Sequence, residues 1–387
     1  MKCLVTMSCE TFAAPAFRCA HMMARGLAGN DCEVDFVVGG MGLFLGTDHE
    51  ECADYTFQCF ASTPNAHRSF YKYYSFVKSG IIKKRWDVVL FYSVGLQFVP
   101  LVMYARRCGV KIIYVQGDHY VPLPGMNVLD RLKLFIINSV DVFMSRKSDL
   151  NALTGTSVLL EHYRKQAPVI PIYLSYPPID VDLFSAGDSQ KALSKYNLKD
   201  KLVIVYCGSV VSLEGIEIML NAMRVVSQFS EQAHLVIAGK LDVVDYALSY
   251  KVDYKKISNE LGIRDRVTFT DFIDQVAVRD LLSAANILLM PKLDHHRNAV
   301  AAPIKLSEYL ASGRPVIASS VGDVSERFED GIELCLCEPG DSSDLALKII
   351  YMLDNPHIAE QIADNGQEYA RKHFDYISWG KQVLNLL

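Results

Sequence analysis

Short apolar runs rich in β-branched residues alternate along this chain with longer segments in which apolar residues recur every three or four positions. The runs have the length of buried strands, and the longer segments have the period of helices that pack by one face. Strands separated by such helices form right-handed crossovers and parallel sheets covered on both faces. The pattern therefore predicts an α/β protein.

The predicted strands are Cys3–Met7, Val34–Val38, Val88–Tyr92, Lys111–Val115, Val140–Met144, Leu202–Tyr206, His234–Ala238, Val267–Thr270, Ile287–Met290 and Val316–Ala318. The predicted helices include Phe17–Leu27, Phe98–Cys108, Val128–Ile137, Ile216–Val226, Tyr254–Leu261, Arg279–Ala285, Ile304–Ala311 and Ala359–Phe374. These form two series, one in each half of the chain. We therefore expect two Rossmann-like domains with parallel sheets that face each other across a cleft.

The length of 387 residues also favours two domains, because one core rarely serves so long a chain. Prolines cluster near the middle, at Pro168, Pro171, Pro177 and Pro178. We place the seam there and predict domains over residues 1–175 and 176–374, with a C-terminal tail, 375–387, that packs back on the first domain.

Charge and composition exclude several classes of protein. The net charge of −5 gives no support for nucleic-acid binding, although residues 1–170 carry a net +4 that favours an anionic surface nearby. The ten cysteines form no Cys-x-x-Cys pair, which predicts reduced, buried thiols, no metal site and a cytoplasmic location. Residues 1–5 lack the long apolar stretch of a signal peptide, so we expect the chain to start directly as a strand. The most apolar window, residues 94–105, is too short to span a bilayer.

The segment from Pro303 to Ala318 carries the most chemistry. Pro303 suits a helix start, and Gly313 suits a left-handed helix end. Lys305 places a cation in the first helical turn, where it opposes the helix dipole unless an anion is bound there. Glu308 lies on the same face and could accept both hydroxyls of a ribose. A solvated Lys–Glu pair is the alternative.

This segment resembles the nucleotide-binding signature of GT-B glycosyltransferases, specifically the large retaining family 4, glycosyl transferases group 1. The resemblance continues through Tyr206–Ser209, Leu235–Gly239, Val267–Phe272, Ala285–Pro291 and Ser320–Glu326, and Pro178–Phe184 is similar to the family's domain junction. It covers residues 165–375 well and the first half of the chain in outline.

The resemblance implies transfer of a sugar, with retention, from a nucleoside-diphosphate sugar to a hydroxyl of a glycan or lipid-linked acceptor, in polysaccharide or glycoconjugate synthesis. It implies no metal and no cofactor. Lys305 and the amides around Gly208 would face the diphosphate, Glu308 the ribose, and the loop at Asp271 the base. The implied donor-binding residues are Gly208, Ser209, Lys240, Asp271, Phe272, Asn298, Lys305 and Glu308.

The chain departs from the family pattern at three positions. The first Glu of the family's Glu-x7-Glu is Val300 here, and Asp294, His295, His296, Arg297 and Asn298 are candidates for its place. An Arg and a Lys that the family often uses for phosphate are Ser209 and Glu214. Either Glu214 points away and Lys240 or Arg297 compensates, or donor binding is weak or lost.

In the first domain, Asp118 and His119 follow the strand Lys111–Val115, where a cleft is expected. The family places a His or an acidic group near this position, so we consider them catalytic candidates together with Lys305. His119 and Arg18 are the candidates for acceptor binding. A loop-capping Asp beside a solvated His, and an exposed Arg, are the alternatives.

Two further segments suggest other chemistry. Asp180 and Asp182 resemble a metal-binding Asp-x-Asp, which we discount because they lie in the proline-rich junction. Residues 69–86 form a basic amphipathic helix that could contact anionic lipid headgroups, or simply pack its apolar side on the sheet.

Two other functions remain open. A nucleotide-sugar 2-epimerase would need acidic groups around the sugar. A non-catalytic scaffold with this fold would explain the three departures.

Overall fold

The computed structural model describes residues 1–8, 15–39, 54–60, 66–117, 127–241, 243–245, 248, 250–300 and 302–387. The contacts among them divide the chain into two compact units. Unit 1 comprises Met1–Ile179, Val300–Ala302 and His373–Leu387, and unit 2 comprises Asp180–Ala299 and Pro303–Lys372. Each unit is built on one parallel sheet, which confirms the predicted α/β class and its two Rossmann-like domains.

Unit 1 contains a sheet of seven described strands. The strands are β1 (Lys2–Ser8), β2 (Glu33–Gly39), β3 (Thr56–Cys59), β4 (Val88–Tyr92), β5 (Lys111–Gln116), β6 (Leu150–Thr154) and β7 (Ile172–Ser175). They follow the order β3-β2-β1-β4-β5-β6-β7, and every neighbouring pair is parallel. The helices are α1 (Pro15–Ala28), α2 (Ala66–Ile82), α3 (Phe98–Cys108), α4 (Val128–Lys147) and α5 (Ser157–Gln166), together with a C-terminal helix, Tyr376–Asn385.

Both faces of the unit 1 sheet are buried because successive side chains of a strand point to opposite faces. Along β1, Cys3, Val5 and Met7 belong to a cluster with α1 and the C-terminal helix. Leu4, between them, belongs to a second cluster with α2 and α3. The sheet is therefore covered by helices on both sides, as its nearly continuous apolar strands require.

Unit 2 repeats the plan with six described strands. They are β8 (Leu202–Cys207), β9 (Ala233–Ala238), β10 (Val267–Asp271), β11 (Ile287–Met290), β12 (Val316–Ser319) and β13 (Cys335–Cys337), in the order β10-β9-β8-β11-β12-β13. All of its pairs are parallel. Its helices are α6 (Val181–Ser185), α7 (Ser189–Lys195), α8 (Ile216–Phe229), α9 (Tyr254–Glu260), α10 (Gln275–Ser283), α11 (His296–Val300), α12 (Ile304–Ala311), α13 (Val324–Arg327), α14 (Ser342–Asp354) and α15 (Pro356–His373); the C-terminal helix of unit 1 is α16.

One predicted strand, Val140–Met144, is wrong, because these residues continue helix α4. Val140 and Met144 are buried one turn apart. The carboxylate of Asp141, also buried, accepts hydrogen bonds from the hydroxyls of Tyr114 and Tyr163. The helical period and this polar contact outweigh the β-branched composition of the run. The pattern also missed four short strands, β3, β6, β7 and β13.

The basic amphipathic segment 69–86 packs its apolar side within unit 1. Tyr73, Val77 and Ile81 of α2 are fully buried against the sheet. Lys78 stands 4.8 Å from the centre of the Tyr104 ring, on the neighbouring helix α3. A membrane contact through this segment would depend on its lysines, and it stays a prediction. Among the described helices, none has the length and apolar character needed to cross a bilayer.

The C-terminal helix α16 completes unit 1 by packing closely on α1. Its Trp379 and Val383 belong to the core under the sheet. The two helix backbones touch at a pair of glycines, since a methyl group on Gly380 would collide with the carbonyl oxygen of Gly26. A methyl group on Gly26 would collide with the carbonyl oxygen of Tyr376. Glycine at these two positions therefore sets the distance between the helices.

We predict that Gly380→Ala destabilises unit 1 by about 1–2 kcal/mol. Alanine favours a helix by about 1 kcal/mol, but here its methyl group must push two backbones apart. Both tryptophans of the chain, Trp86 and Trp379, lie in unit 1. Urea unfolding followed by tryptophan fluorescence therefore reports this unit selectively.

Lys381→Ala is the matched control, because Lys381 is exposed and next to Gly380 on the same helix. Its free energy of unfolding should stay within about 0.5 kcal/mol of the wild type. A Gly380→Ala protein as stable as this control would contradict the close packing of α1 and α16.

Candidate functional site

The strand order of unit 2 marks one position as a ligand site. The chain runs outward from β8 through β9 to β10, and then returns to place β11 on the other side of β8. The connections after β8 and β11 therefore leave in opposite directions, which opens a crevice at the carboxyl ends of these two strands. Gly208 directly follows β8, and Lys292 lies two residues beyond the end of β11.

Helix α12 is fixed to the end of β8 by one tyrosine. The Tyr309 hydroxyl accepts a hydrogen bond from the backbone N–H of Cys207 (2.7 Å) and donates one to the carbonyl of the same residue (3.0 Å). Tyr309 is fully buried with Leu306 and Leu310, the apolar stripe of the helix. As predicted, Gly313 ends the segment in the left-handed conformation, with φ of 65°. The first turn of α12 is thus held beside the end of β8.

Lys305, in that first turn, points back toward β8. Its side chain is 13% exposed, and its ammonium lies 2.6 Å from Oε2 of Glu214. The ammonium also donates to the Tyr206 hydroxyl at 3.1 Å, and that hydroxyl donates to the carbonyl of Ser209 at 2.7 Å. The predicted cation at the start of this helix is therefore turned into the protein, beside the crevice.

Gly208 leaves the space that the Lys305 ammonium needs. A Cβ atom on Gly208 would lie 2.6 Å from Nζ of Lys305, closer than such atoms approach. The N–H of Gly208 itself donates to the carbonyl of Ala238 at 2.9 Å, within the sheet. Its contribution to the site is therefore room for the Lys305 ammonium, because its own N–H is already hydrogen-bonded to Ala238.

Glu214 faces Lys305, which contradicts the alternative in which it points away. It lies in a short 3-10 turn, Ser212–Glu214, between β8 and α8, and is 8% exposed. Its second oxygen, Oε1, is 3.9 Å from the ammonium of Lys292. Burial alone would raise the pKa of the Glu214 carboxyl, but the charges of Lys305 and Lys292 outweigh it and lower that pKa.

Lys292 is the residue of this group that sequence reasoning missed. It is 8% exposed, and its ammonium donates to Oδ1 of Asn298 at 3.3 Å. Burial, reinforced by the charge of Lys305 and opposed by Glu214, lowers the pKa of Lys292 to about 8. A lysine two positions after a fully buried strand was the available signal, because such positions lie at the ligand-binding edge of the sheet.

Asn298 and Glu308 are both buried in unit 2. The amide group of Asn298 donates to the carbonyls of Leu213 (2.9 Å) and Leu293 (2.8 Å), which joins the loop after β11 to the 3-10 turn. Glu308 is 6% exposed, one helical turn beyond Lys305. Burial, reinforced by the charge of Glu308, raises the pKa of the Cys207 thiol, the last residue of β8.

The remaining predicted donor residues lie at the carboxyl edge of the unit 2 sheet. Ser209 follows β8 and is exposed, and Lys240 follows β9 and is exposed. Asp271 ends β10 in the left-handed conformation, with φ of 62°. Phe272 after it is 70% exposed. The structure thus places these four residues along one edge with Lys305, and their roles stay predictions.

Three predicted acceptor-side residues belong to unit 1. Arg18 lies in the first part of α1 and is half-buried. Asp118 and His119 lie outside the described residues. At the position of the family's first Glu, Val300 is 4% exposed. Arg297, proposed to compensate for Glu214, is exposed on α11.

Asp180 and Asp182 have structural partners. Asp180 caps α6 by accepting from the N–H of Leu183, and Asp182 pairs with Arg371 at 2.7 Å. Within the described part of the chain, no three His, Cys, Asp or Glu side chains are grouped as a metal site would need.

Comparison with known proteins identifies the second unit. Residues 188–369, all but three of which lie in unit 2, match the family Glycosyl transferases group 1. The protein carries a glycosyl transferases group 1 domain and is a glycosyltransferase.

Its curated relatives are distant. Alpha-D-kanosaminyltransferase of Streptomyces kanamyceticus is 23% identical over 75% of this chain and 73% of its own length. D-inositol 3-phosphate glycosyltransferase 2 of Catenulispora acidiphila is 27% identical over 51% of this chain, but the alignment spans only 45% of that relative.

Solved structures share the whole fold of this glycosyltransferase. Anabaena Alr3699/HepE in complex with UDP superposes with a TM-score of 0.68 and 16% identity, over 100% of this chain and 99% of that one. WaaG, a glycosyltransferase involved in lipopolysaccharide biosynthesis, superposes with a TM-score of 0.66 and 16% identity, over 99% of each chain. These similarities confirm the predicted GT-B architecture.

We predict that Tyr309→Phe lowers the free energy of unfolding of unit 2 by about 1–3 kcal/mol, because the buried N–H of Cys207 loses its acceptor. Urea unfolding followed by far-ultraviolet circular dichroism measures the change. Tyr351→Phe is the control. Tyr351 lies on α14 with 49% of the residue exposed, so loss of its hydroxyl should leave the free energy of unfolding unchanged. Equal stability of the two variants would contradict the anchoring role of Tyr309.

Proposed function

We propose that the protein transfers a sugar, with retention of configuration, from a nucleoside-diphosphate sugar to a hydroxyl group of a glycan or lipid-linked acceptor. The observation that carries the proposal is the ammonium of Lys305, buried beside Gly208 in the first turn of α12, at the crevice between β8 and β11. A cation and a helix N-terminus directed at one point form a site for phosphate. The group 1 domain and a structural neighbour solved with UDP-glucose support a nucleotide-sugar donor.

In the proposed reaction the bond between the sugar's anomeric carbon and the diphosphate breaks, and the diphosphate leaves as an anion. Lys305 and the N-terminus of α12 stabilise this developing charge. The acceptor hydroxyl attacks from the side of the departing group, and its proton passes to the departing phosphate oxygen. A strong side-chain base is then unnecessary, which fits an apolar residue, Val300, where the family often has a Glu.

The rest of the proposal follows the sequence resemblance. The reaction uses no metal and no cofactor, and the enzyme works in the cytoplasm, peripherally at a membrane when its acceptor is lipid-linked. Its product belongs to a polysaccharide or another glycoconjugate.

The decisive experiment is a donor screen with the purified full chain. Calorimetry with UDP-sugars and GDP-sugars, followed by mass spectrometry of the products, identifies the base and the sugar. Release of nucleoside diphosphate only in the presence of an acceptor supports transfer and excludes epimerisation. The absence of binding by any donor would overturn the proposal in favour of a scaffold.

We predict that Lys305→Ala weakens binding of the nucleoside diphosphate about 10- to 100-fold, because the contact of an ammonium with a phosphate is a charge-assisted hydrogen bond. Calorimetric dissociation constants test this. Lys255→Ala removes the same charge from an exposed position on α9 and should leave the dissociation constant unchanged. Similar constants for the two variants would remove Lys305 from the phosphate site.

We predict that Glu308→Ala weakens UDP or GDP binding at least about tenfold through loss of the ribose contact. The 2′,3′-dideoxy form of the same nucleotide lacks the hydroxyls, so its affinity should be nearly the same for wild type and variant. An equal loss with both nucleotides would show that Glu308 acts on something other than the ribose.

A further inference from the structure

Three buried charges meet at the crevice of unit 2, and only one of them is explained by the proposed function. Lys305 matches the family pattern. Lys292 has no assigned role, and Glu214 carries the charge opposite to the phosphate-binding lysine that the family often has at its position. Both residues are 8% exposed, so their charges act in a surrounding that screens them poorly.

We propose that Lys292 is a second diphosphate-binding cation of the donor site, and that Glu214 is an internal counter-ion that holds Lys292 and Lys305 apart until the diphosphate replaces it. This inference rests on the proposed function. The family often has a positive charge just before α8. In this protein the corresponding charge lies after β11, on the other side of the same crevice.

The geometry of the carboxylate supports the role of a stand-in for phosphate. Its oxygen Oε2 lies 2.6 Å from the ammonium of Lys305, and Oε1 lies 3.9 Å from that of Lys292. One carboxylate thus has a lysine on each oxygen. A phosphate group also presents oxygens separated by one central atom, so it can engage the same two cations once the Glu214 side chain moves aside.

Asn298 holds the ammonium of Lys292 in position. The Asn298 oxygen accepts from the ammonium of Lys292, while its two N–H groups are fixed by the carbonyls of Leu213 and Leu293. The orientation of the amide is therefore determined by backbone atoms. An ammonium has three donors, and the contacts with Asn298 and Glu214 leave capacity for a ligand oxygen.

The sharing of one counter-ion also favours an anionic ligand. The Glu214 carboxylate lies within 4 Å of both ammonium groups, so two cations divide one contacting carboxylate between them. A purely structural ion pair would have no need of the second lysine, since a buried cation costs free energy unless it is paired. Burial lowers the pKa of Lys292 to about 8, with the charge of Lys305 acting in the same direction and Glu214 opposing it, which is consistent with such a cost. A bound diphosphate would offset it.

The first test compares phosphate-dependent binding in two variants with opposite expectations. Dissociation constants are measured by calorimetry for UDP, GDP, uridine and guanosine. Lys292→Met should weaken binding of the preferred diphosphate about 10- to 100-fold and leave its nucleoside unaffected. Glu214→Gln should strengthen diphosphate binding about tenfold, because the competing carboxylate is gone. A gain in affinity cannot result from misfolding.

Glu217→Gln is the matched control for Glu214→Gln, because it removes the same charge from an exposed position of the first turn of α8. It should leave all four dissociation constants unchanged. An unchanged ratio of diphosphate to nucleoside affinity in a folded Lys292→Met protein overturns the role of Lys292. A diphosphate constant for Glu214→Gln equal to or weaker than that of the wild type overturns the role of Glu214. A wild-type protein that binds neither diphosphate overturns the proposed function itself.

The pH dependence of diphosphate affinity is a second test, because a purely structural role of Lys292 would not produce it. The Lys292 ammonium is mostly charged at pH 7 and mostly neutral at pH 9 in the free protein, so diphosphate affinity should fall as the pH rises from 7 to 9. Lys292→Met should lack this fall, and a profile identical to the wild type would count against the proposal.

The ionisable groups around Lys292 do not produce the same fall in diphosphate affinity between pH 7 and 9. Burial, with the charges of their neighbours, raises the pKa values of the Cys207 thiol and the Tyr309 hydroxyl far above this range. The lowered pKa of Glu214 lies far below it. The other ionisable side chains beside the cluster are those of Tyr206, Lys305 and Glu308, and all three are retained in Lys292→Met, so that comparison cancels their effects.

Discussion

A buried carboxylate held between two ammonium groups is the interaction on which the candidate site depends. The Glu214 carboxylate contacts Lys305, which lies on α12, and Lys292, which lies just after β11. Three separate stretches of unit 2 therefore meet at one point. In a surrounding of low polarity, loss of one partner leaves an uncompensated charge, which commonly costs about 3–5 kcal/mol. The elements that carry these side chains must therefore be fixed firmly.

That fixation comes from hydrogen bonds between side chains and the backbone. Tyr309 joins α12 to the end of β8 through both polar groups of Cys207, and Asn298 joins the loop after β11 to the turn that carries Glu214. The cations are consequently positioned before any ligand binds. Under the proposed function, the Glu214 side chain has to move aside when the diphosphate binds, whereas the two cations already lie in place.

Much of the fold and one central site residue could be predicted from the sequence. The strand Val88–Tyr92 and the helices Phe98–Cys108 and Ile304–Ala311 have the predicted bounds, because their apolar residues follow one period without interruption. Lys305 was recognisable because a cation in a first helical turn conflicts with the helix dipole. Val140–Met144 failed because a β-branched run within a long helix has the composition of a strand.

The relation between Glu214 and its lysines could not be predicted. Considered alone, Glu214 in place of a phosphate-binding lysine suggests weakened phosphate binding. The sequence offered Lys240 and Arg297 as replacements for that lysine. Both are exposed, whereas Lys292 is buried next to the carboxylate. Glu214 and Lys292 are far apart along the chain, and only the parallel sheet, by placing β11 beside β8, brings them together. The separation of Glu214 and Lys292 along the sequence gives no indication that the two side chains are close in space.

The position of helix α16 has a consequence for biosynthesis. Unit 1 takes its core residues Trp379 and Val383 from beyond unit 2 in the chain. On the ribosome, the side of α1 that packs on α16 stays uncovered until residues 376–385 have emerged, by which time all of unit 2 has been made. Unit 2 can therefore mature first, and unit 1 completes its fold last.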